Sequence, residues 1–160
     1  MRNSNRERPR VVVAGVCLAA LLLVSGCAAT VEMATPELDQ AAKTYVPPEG
    51  KANIYVTRKD QFTGSAVLFQ VVVDGRMLGA IAPGTYHMMS VDPGRHVVAA
   101  TSIENQTSQK IEAEAGHCYF FEVTPKTGWM AARVDVAPMS EAAGRAAIAE
   151  NSLAEGFEFD

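Results

Sequence analysis

The chain has 160 residues, with 14 basic and 18 acidic side chains, a formal net charge of −4 and 48% hydrophobic residues. That length is one domain's worth. No basic patch stands out beyond the first ten residues, which speaks against a nucleic-acid partner and against electrostatic docking on anionic lipid.

The chain opens with four arginines (Arg2, Arg6, Arg8, Arg10), then an apolar run from Val11 to Val24, then the small residues Ser25 and Gly26 before Cys27. A charged start, an apolar middle and a small-residue cleavage site are the layout of a secretory signal peptide. As a helix the run reaches roughly 21 Å, at about 1.5 Å per residue, against a hydrocarbon core about 30 Å thick. A cleaved segment is therefore expected rather than a spanning anchor. Leu23-Val24-Ser25-Gly26-Cys27 resembles the lipobox of bacterial lipoproteins. That resemblance implies cleavage between Gly26 and Cys27, and fatty acylation of the Cys27 thiol, palmitate among the chains. It implies a membrane partner through the N-terminal lipid and a place in the bacterial envelope. Ala28, not Asp, follows the cysteine, which by the sorting rule of such lipoproteins implies the outer membrane, facing the periplasm. Residues 1–26 are then signal, and four Arg and one Glu leave with them, so the mature chain carries 10 basic and 17 acidic residues, a net of −7. Cys17 departs too, Cys27 takes lipid, and Cys118 stands alone, so no disulfide can form within the mature chain.

Residues 27–50 are rich in Ala, Thr, Pro and Glu and end in Pro47-Pro48, the composition of a tether that holds the domain off the membrane. One short helix is expected inside it, with Thr35 as N-cap, Pro36 in the first helical position, and Glu37 and Asp39 favourable to the dipole.

From Lys51 to Met139 short runs rich in Val, Ile, Tyr and Phe recur. They are 53–58, 66–73, 77–82, 85–91, 96–103, 109–114, 118–124 and 130–137, each closed by Gly, Pro, Asn or Asp. Seven or eight short strands at this spacing predict a mainly β fold, an antiparallel β-sandwich. Asp74-Gly75 suits a two-residue type I′ hairpin, whose central residues both need positive φ. Pro83-Gly84 suits the centre of a type II turn, and Asp92-Pro93-Gly94-Arg95 has similar chemistry. Consecutive tight turns predict a meander in which Val91 faces His96 and Met89 faces Val98. The 66–73 and 118–124 runs are apolar on both faces, so each needs cover on its second side. A C-terminal helix in 140–160 is the expected cover, with Ser140 as N-cap, Ala143, Ala147 and Ile148 apolar, and Gly144 costing about 1 kcal/mol against alanine. The tail with Phe157 and Phe159 is expected to fray.

Several of these residues carry a second resemblance. Tyr45-Val46-Pro47-Pro48 with Ile54-Tyr55-Val56-Thr57-Arg58, Val73-Asp74-Gly75 with Gly79, Gly84-Thr85-Tyr86, Val91-Asp92-Pro93-Gly94-Arg95-His96, and Ala115-Gly116 with Tyr119-Phe120 resemble the lipoprotein domain of unknown function 2846, a PEGA-like β domain. The match covers about residues 45 to 137 and rests mostly on turn punctuation. It departs from the pattern at the first strand, where the aromatic pair is reduced to Tyr55. The resemblance implies a β-sandwich-like fold in an envelope lipoprotein and no reaction.

The chemistry-bearing residues are few. His87, His96 and His117 stand at no metal-ligand spacing, so no metal and no cofactor are expected. His96 is better read as bonding the turn before it. Cys118 and His117 are neighbours on a strand and point to opposite faces, so they cannot pair. No nucleophile elbow, phosphate loop or carboxylate pair is present, and no catalytic residue is assigned. Met77, Met88, Met89, Met130 and Met139 would form a soft-metal cluster only if they converged. The reading is a non-enzymatic binding or structural module, with an envelope protein or cell-wall glycan as partner and no nucleic acid. The alternatives are a thiol-dependent hydrolase using Cys118 and a histidine, and an accessory subunit of an envelope export or assembly machine.

Overall fold

The computed structural model describes residues 29–156. Residues 1–28, with the signal, Gly26 and Cys27, lie outside them, as do Phe157 and Phe159. The elements are α1 (Pro36–Ala42), β1 (Ala52–Arg58), β2 (Phe69–Val73), β3 (Arg76–Ile81), β4 (Thr85–Val91), β5 (Gly94–Thr101), β6 (Gln106–Ala113), β7 (Cys118–Lys126), β8 (Arg133–Met139), α2 (Glu141–Glu150) and β9 (Ser152–Leu153). They form two sheets, a five-stranded one in the order β8-β7-β1-β4-β9 and a four-stranded one in the order β3-β2-β5-β6.

The mainly β, two-sheet fold with a C-terminal helix is as expected, but the meander is not. Most ladders are antiparallel, yet β1 pairs with β7 and β4 with β9 in parallel. The three short turns also do different jobs. Asp74 (φ 51°) and Gly75 (φ 79°) close a true hairpin between paired Val73 and Arg76. At Pro83-Gly84 the N–H of Thr85 bonds back to the Ala82 carbonyl, and the chain crosses from one sheet to the other. Asp92-Pro93-Gly94 is a second crossing, so β4 and β5 do not pair at all. Val91 lies opposite Ala52, and His96 opposite Ile111. Burial explains the preference: β4 is sandwiched between β1 and β9, whereas β5 finds its apolar partners in β2.

Between the sheets lies one core, with Ile54, Val56, Phe69, Val71, Ile81, Val98, Phe121 and Val136 among its buried residues. Every residue of β1 is buried, because its second face is covered as well. There Tyr55, Tyr86 and Phe120 meet Ala42 of α1 and Ile148 of α2. Tyr55 stacks on Phe120 at 5.0 Å between ring centroids. Among the described residues no helix covers the outer face of the 66–73 run. Val72 and Gln70, both half-buried, share that face, while Phe69, Val71 and Val73 are buried in the core and Val67 packs against it.

Both helix caps are as the sequence reads: Thr35 accepts from the Leu38 N–H and Ser140 from the Ala143 N–H. The apolar stripe of α2 differs. Gly144 and Ile148 are the buried positions, with Ala143 exposed and Ala147 half-buried. The largest correction concerns the tether. Residues 29–50 lie against the domain instead of standing free. Asp39 accepts the Leu153 N–H at 2.8 Å and the Tyr86 hydroxyl at 2.9 Å. Lys43 bonds the Asn151 carbonyl at 2.8 Å, and Met33 bridges to Ala154. Two residues, Ser152 and Leu153, thereby form a ninth strand that no pattern announced.

Candidate functional site

A cavity of about 930 Å³ forms an open groove between residues 30–35, β3, β4 and β9. Its walls are mostly apolar, with Met33, Leu38, Leu68, Met77, Met88 and Met89 among them. β3 closes the four-stranded sheet as an edge strand, and β9 closes the other. Of the methionines named from sequence, Met77, Met88 and Met89 reach this groove, joined by Met33, which sequence reasoning missed. They do not gather on one face, because Met88 and Met89 alternate along β4, Met88 against the aromatic cluster and Met89 against the inter-sheet core.

His87 sits at the groove's base, 2% exposed, with Nε2 donating to the Ala80 carbonyl at 2.9 Å. Burial lowers its pKa and the carbonyl contact only partly opposes this, so the ring is a neutral structural piece. Gly79 (φ 140°) makes room for it, since a side chain there would press on the imidazole. His96 is far from it, at the opposite end of β4's neighbour sheet. Its Nδ1 meets Asp74 Oδ2 at 2.6 Å and its Nε2 the Asp92 carbonyl at 2.7 Å, the bond to the preceding turn read from sequence. Both partners are acceptors, an arrangement that favours the doubly protonated ring. Burial works against that charge, but Asp74 and the Asp92 carbonyl outweigh it and raise the His96 pKa. His117 only touches the Ala115 carbonyl.

Cys118 is half-buried, with its thiol on the Tyr45 carbonyl at 3.4 Å. Burial raises its pKa, and no hydrogen bond joins it to a histidine among the described residues. Tyr55 and Tyr86 are wholly buried. Burial pushes the Tyr55 hydroxyl up to about 12. Glu122 does not stand free on its strand but pairs with Lys59 at 3.2 Å. Among the described residues no three His, Cys, Asp or Glu side chains gather to hold a metal ion.

One residue the sequence reading passed over is Arg58. It is fully buried, with no ion pair to a carboxylate among the described residues. Its guanidinium donates to the carbonyls of Val67 (2.6 Å), Gly64 (2.7 Å) and Ile81 (3.2 Å), and stacks on the Phe69 ring at 4.8 Å. Burial lowers its pKa. No local pattern marks a strand-end arginine as interior.

Comparison with known proteins gives the family of the chain. A protein of Haemophilus influenzae described as "Uncharacterized protein" is 31% identical over 134 residues, covering 83% of this chain and 79% of that one. The model of the family described as "Protein of unknown function (DUF2846)" matches residues 48–137, from the Pro47-Pro48 step through most of β8. The chain belongs to the DUF2846 family.

Proposed function

We propose that the protein is a lipoprotein moored by lipid at Cys27 to the outer membrane, facing the periplasm. There it works without catalysis as a binding module for another envelope protein. The observation that supports this best is the groove. Its methionine and leucine walls adapt to varied apolar side chains. β3 beside it is the last strand of its sheet, the kind of element to which an extended segment can add. A cell-wall glycan fits the groove less well, because sugars favour exposed aromatic platforms and no Phe, Tyr or Trp among the described residues lines it. A thiol hydrolase fits less well because burial raises the Cys118 pKa and its thiol donates to the Tyr45 carbonyl.

A photo-reactive side chain introduced at Met77 or Leu68 in cells tests the groove. The proposal expects both positions to crosslink to the same envelope protein, while the exposed Arg95 position does not. Equal capture from Arg95, or none from either groove position, contradicts it.

A further inference from the structure

Three loops meet at one end of the sandwich. β1 and β7 are parallel and finish there, β2 begins there, and β5 turns into β6 there. The loops are 59–68, 102–105 and 127–132. They carry Phe62, Ile103, Trp129 and Met130, exposed at 94%, 95%, 95% and 89%, whereas the next large hydrophobic in the described residues, Val46, stands at 73%. The backbones beneath these side chains are held by polar ties. Glu104 accepts the N–H groups of Trp129 (3.0 Å), Met130 and Ala131 (2.6 Å). Asn105 exchanges two 2.8 Å hydrogen bonds with the backbone of Val134. Arg58 pins the first loop through Gly64 and Val67. Four large apolar side chains offered to water from ordered loops are costly unless something covers them.

The path of the chain indicates what covers them. The Ala29 N–H bonds the Ser65 carbonyl at 3.0 Å, and the Ser65 N–H bonds the Phe62 carbonyl at 3.0 Å. Cys27 precedes Ala29 by two residues, at most about 7 Å of extended chain. The lipid attachment point is therefore tied to the loop that carries Phe62. The opposite end presents the charged turns of Asp74, Asp92 and Glu114.

We propose that this loop end is the membrane-contacting surface, with Phe62, Ile103, Trp129 and Met130 inserted at the level of the lipid headgroups. The inference rests on the lipid anchoring at Cys27 proposed above. An indole suits that depth, having an apolar body and one N–H for the wet side. Lys59 and Lys126 flank the end with long stems that can lie along the apolar layer and keep their ammonium groups in water. The Glu104 carboxylate already spends its acceptors on three amides. The domain would then sit against the bilayer with its charged end outward, rather than swing on a leash.

Trp129 is the chain's single tryptophan, so it reports without labelling. The mature lipidated protein is reconstituted into phosphatidylethanolamine–phosphatidylglycerol vesicles, and flotation, Trp emission and quenching are measured together. The inference expects flotation, a blue shift of Trp129 relative to detergent-free F62S/I103S/M130S protein in the same vesicles, protection from aqueous iodide, and quenching by lipids brominated near the headgroup. Flotation with Trp129 still water-exposed overturns this inference and leaves the anchor standing. A blue shift that grows with protein density and ignores brominated lipid means a second copy covers the patch, and overturns it too. Failure to float or to incorporate fatty acid overturns the anchor and this inference with it.

Discussion

Gly144 of α2 lies directly on the ring of Phe120 in β7, so closely that a Cβ on Gly144 would overlap the ring carbons and the Phe120 Cβ. This contact lets the helix sit down on the sheet and bury Tyr55, Phe120 and Ile148 together.

Gly144→Ala should therefore destabilise the protein, although alanine improves an isolated helix. Propensity gains about 1 kcal/mol, but overpacking a rigid core costs about 1–3 kcal/mol and here forces the whole helix to move. Thermal unfolding should occur at lower temperature in the variant. A raised midpoint would contradict the packing described.

Arg58 offers a second test. Arg58→Leu removes the guanidinium donor from the part-buried carbonyls of Gly64 and Val67 and from the buried carbonyl of Ile81, Gly64 keeping the Val67 N–H, and an unpaired buried group costs about 1–3 kcal/mol. A loss of about 1–3 kcal/mol is expected by denaturant unfolding, with faster proteolysis inside residues 59–68. Arg58→Lys should recover only part, since an ammonium cannot reproduce the planar fork. An unchanged midpoint for the leucine variant would count against a structural role.

Local features and long-range pairings were unequally legible in the sequence. Caps, the Asp74-Gly75 hairpin and most strand positions follow from local chemistry: a hydroxyl before an N-terminus, a Gly at positive φ, alternating apolar residues. Which strands pair did not follow. Pro83-Gly84 and Pro93-Gly94 have hairpin chemistry but carry the chain between sheets, because a tight turn reverses direction without choosing the sheet that receives it. The docked 29–50 segment was hidden for a related reason. Its composition is that of a linker, and its hold on the domain comes from Asp39 and Lys43 reaching partners more than a hundred positions away. Of the groove, the methionines were visible individually, but their shared wall was not. The apolar loop end was also concealed, since Phe62, Ile103 and Trp129 look like ordinary core residues until the strands are placed.

His96 and His87 should have pKa values displaced in opposite directions from the free value. His96, held by Asp74 and the Asp92 carbonyl, has a folded pKa above the free value of about 6.5. Its contribution to stability is therefore complete below that value and is lost as pH rises through the folded pKa. His87, buried and neutral, has a folded pKa below the free value. Its contribution is present above about 6.5 and is lost as pH falls through the folded pKa. NMR titration of the ring protons checks both. Asp74→Asn, which keeps a residue tolerant of positive φ, should bring the His96 midpoint down. The reverse order of midpoints would contradict the hydrogen-bond assignments.

Cys118 should react slowly with thiol reagents in the folded protein. Its thiol is half-buried and its pKa is raised by that burial, so the thiolate fraction is small. Modification by an aromatic disulfide reagent should run at least about tenfold slower than in denaturant at the same pH. Rapid stoichiometric labelling of folded protein would restore a nucleophile to consideration.

The central claim is that a lipid on Cys27 brings this domain to the membrane. Growth with radiolabelled palmitate, comparing wild type with Cys27→Ser and following both by membrane fractionation, tests it most directly. The account predicts label on the wild-type protein alone, with the serine variant unlabelled and released from membranes. A wild-type protein without label, or a serine variant that stays membrane-bound as firmly as wild type, would contradict it.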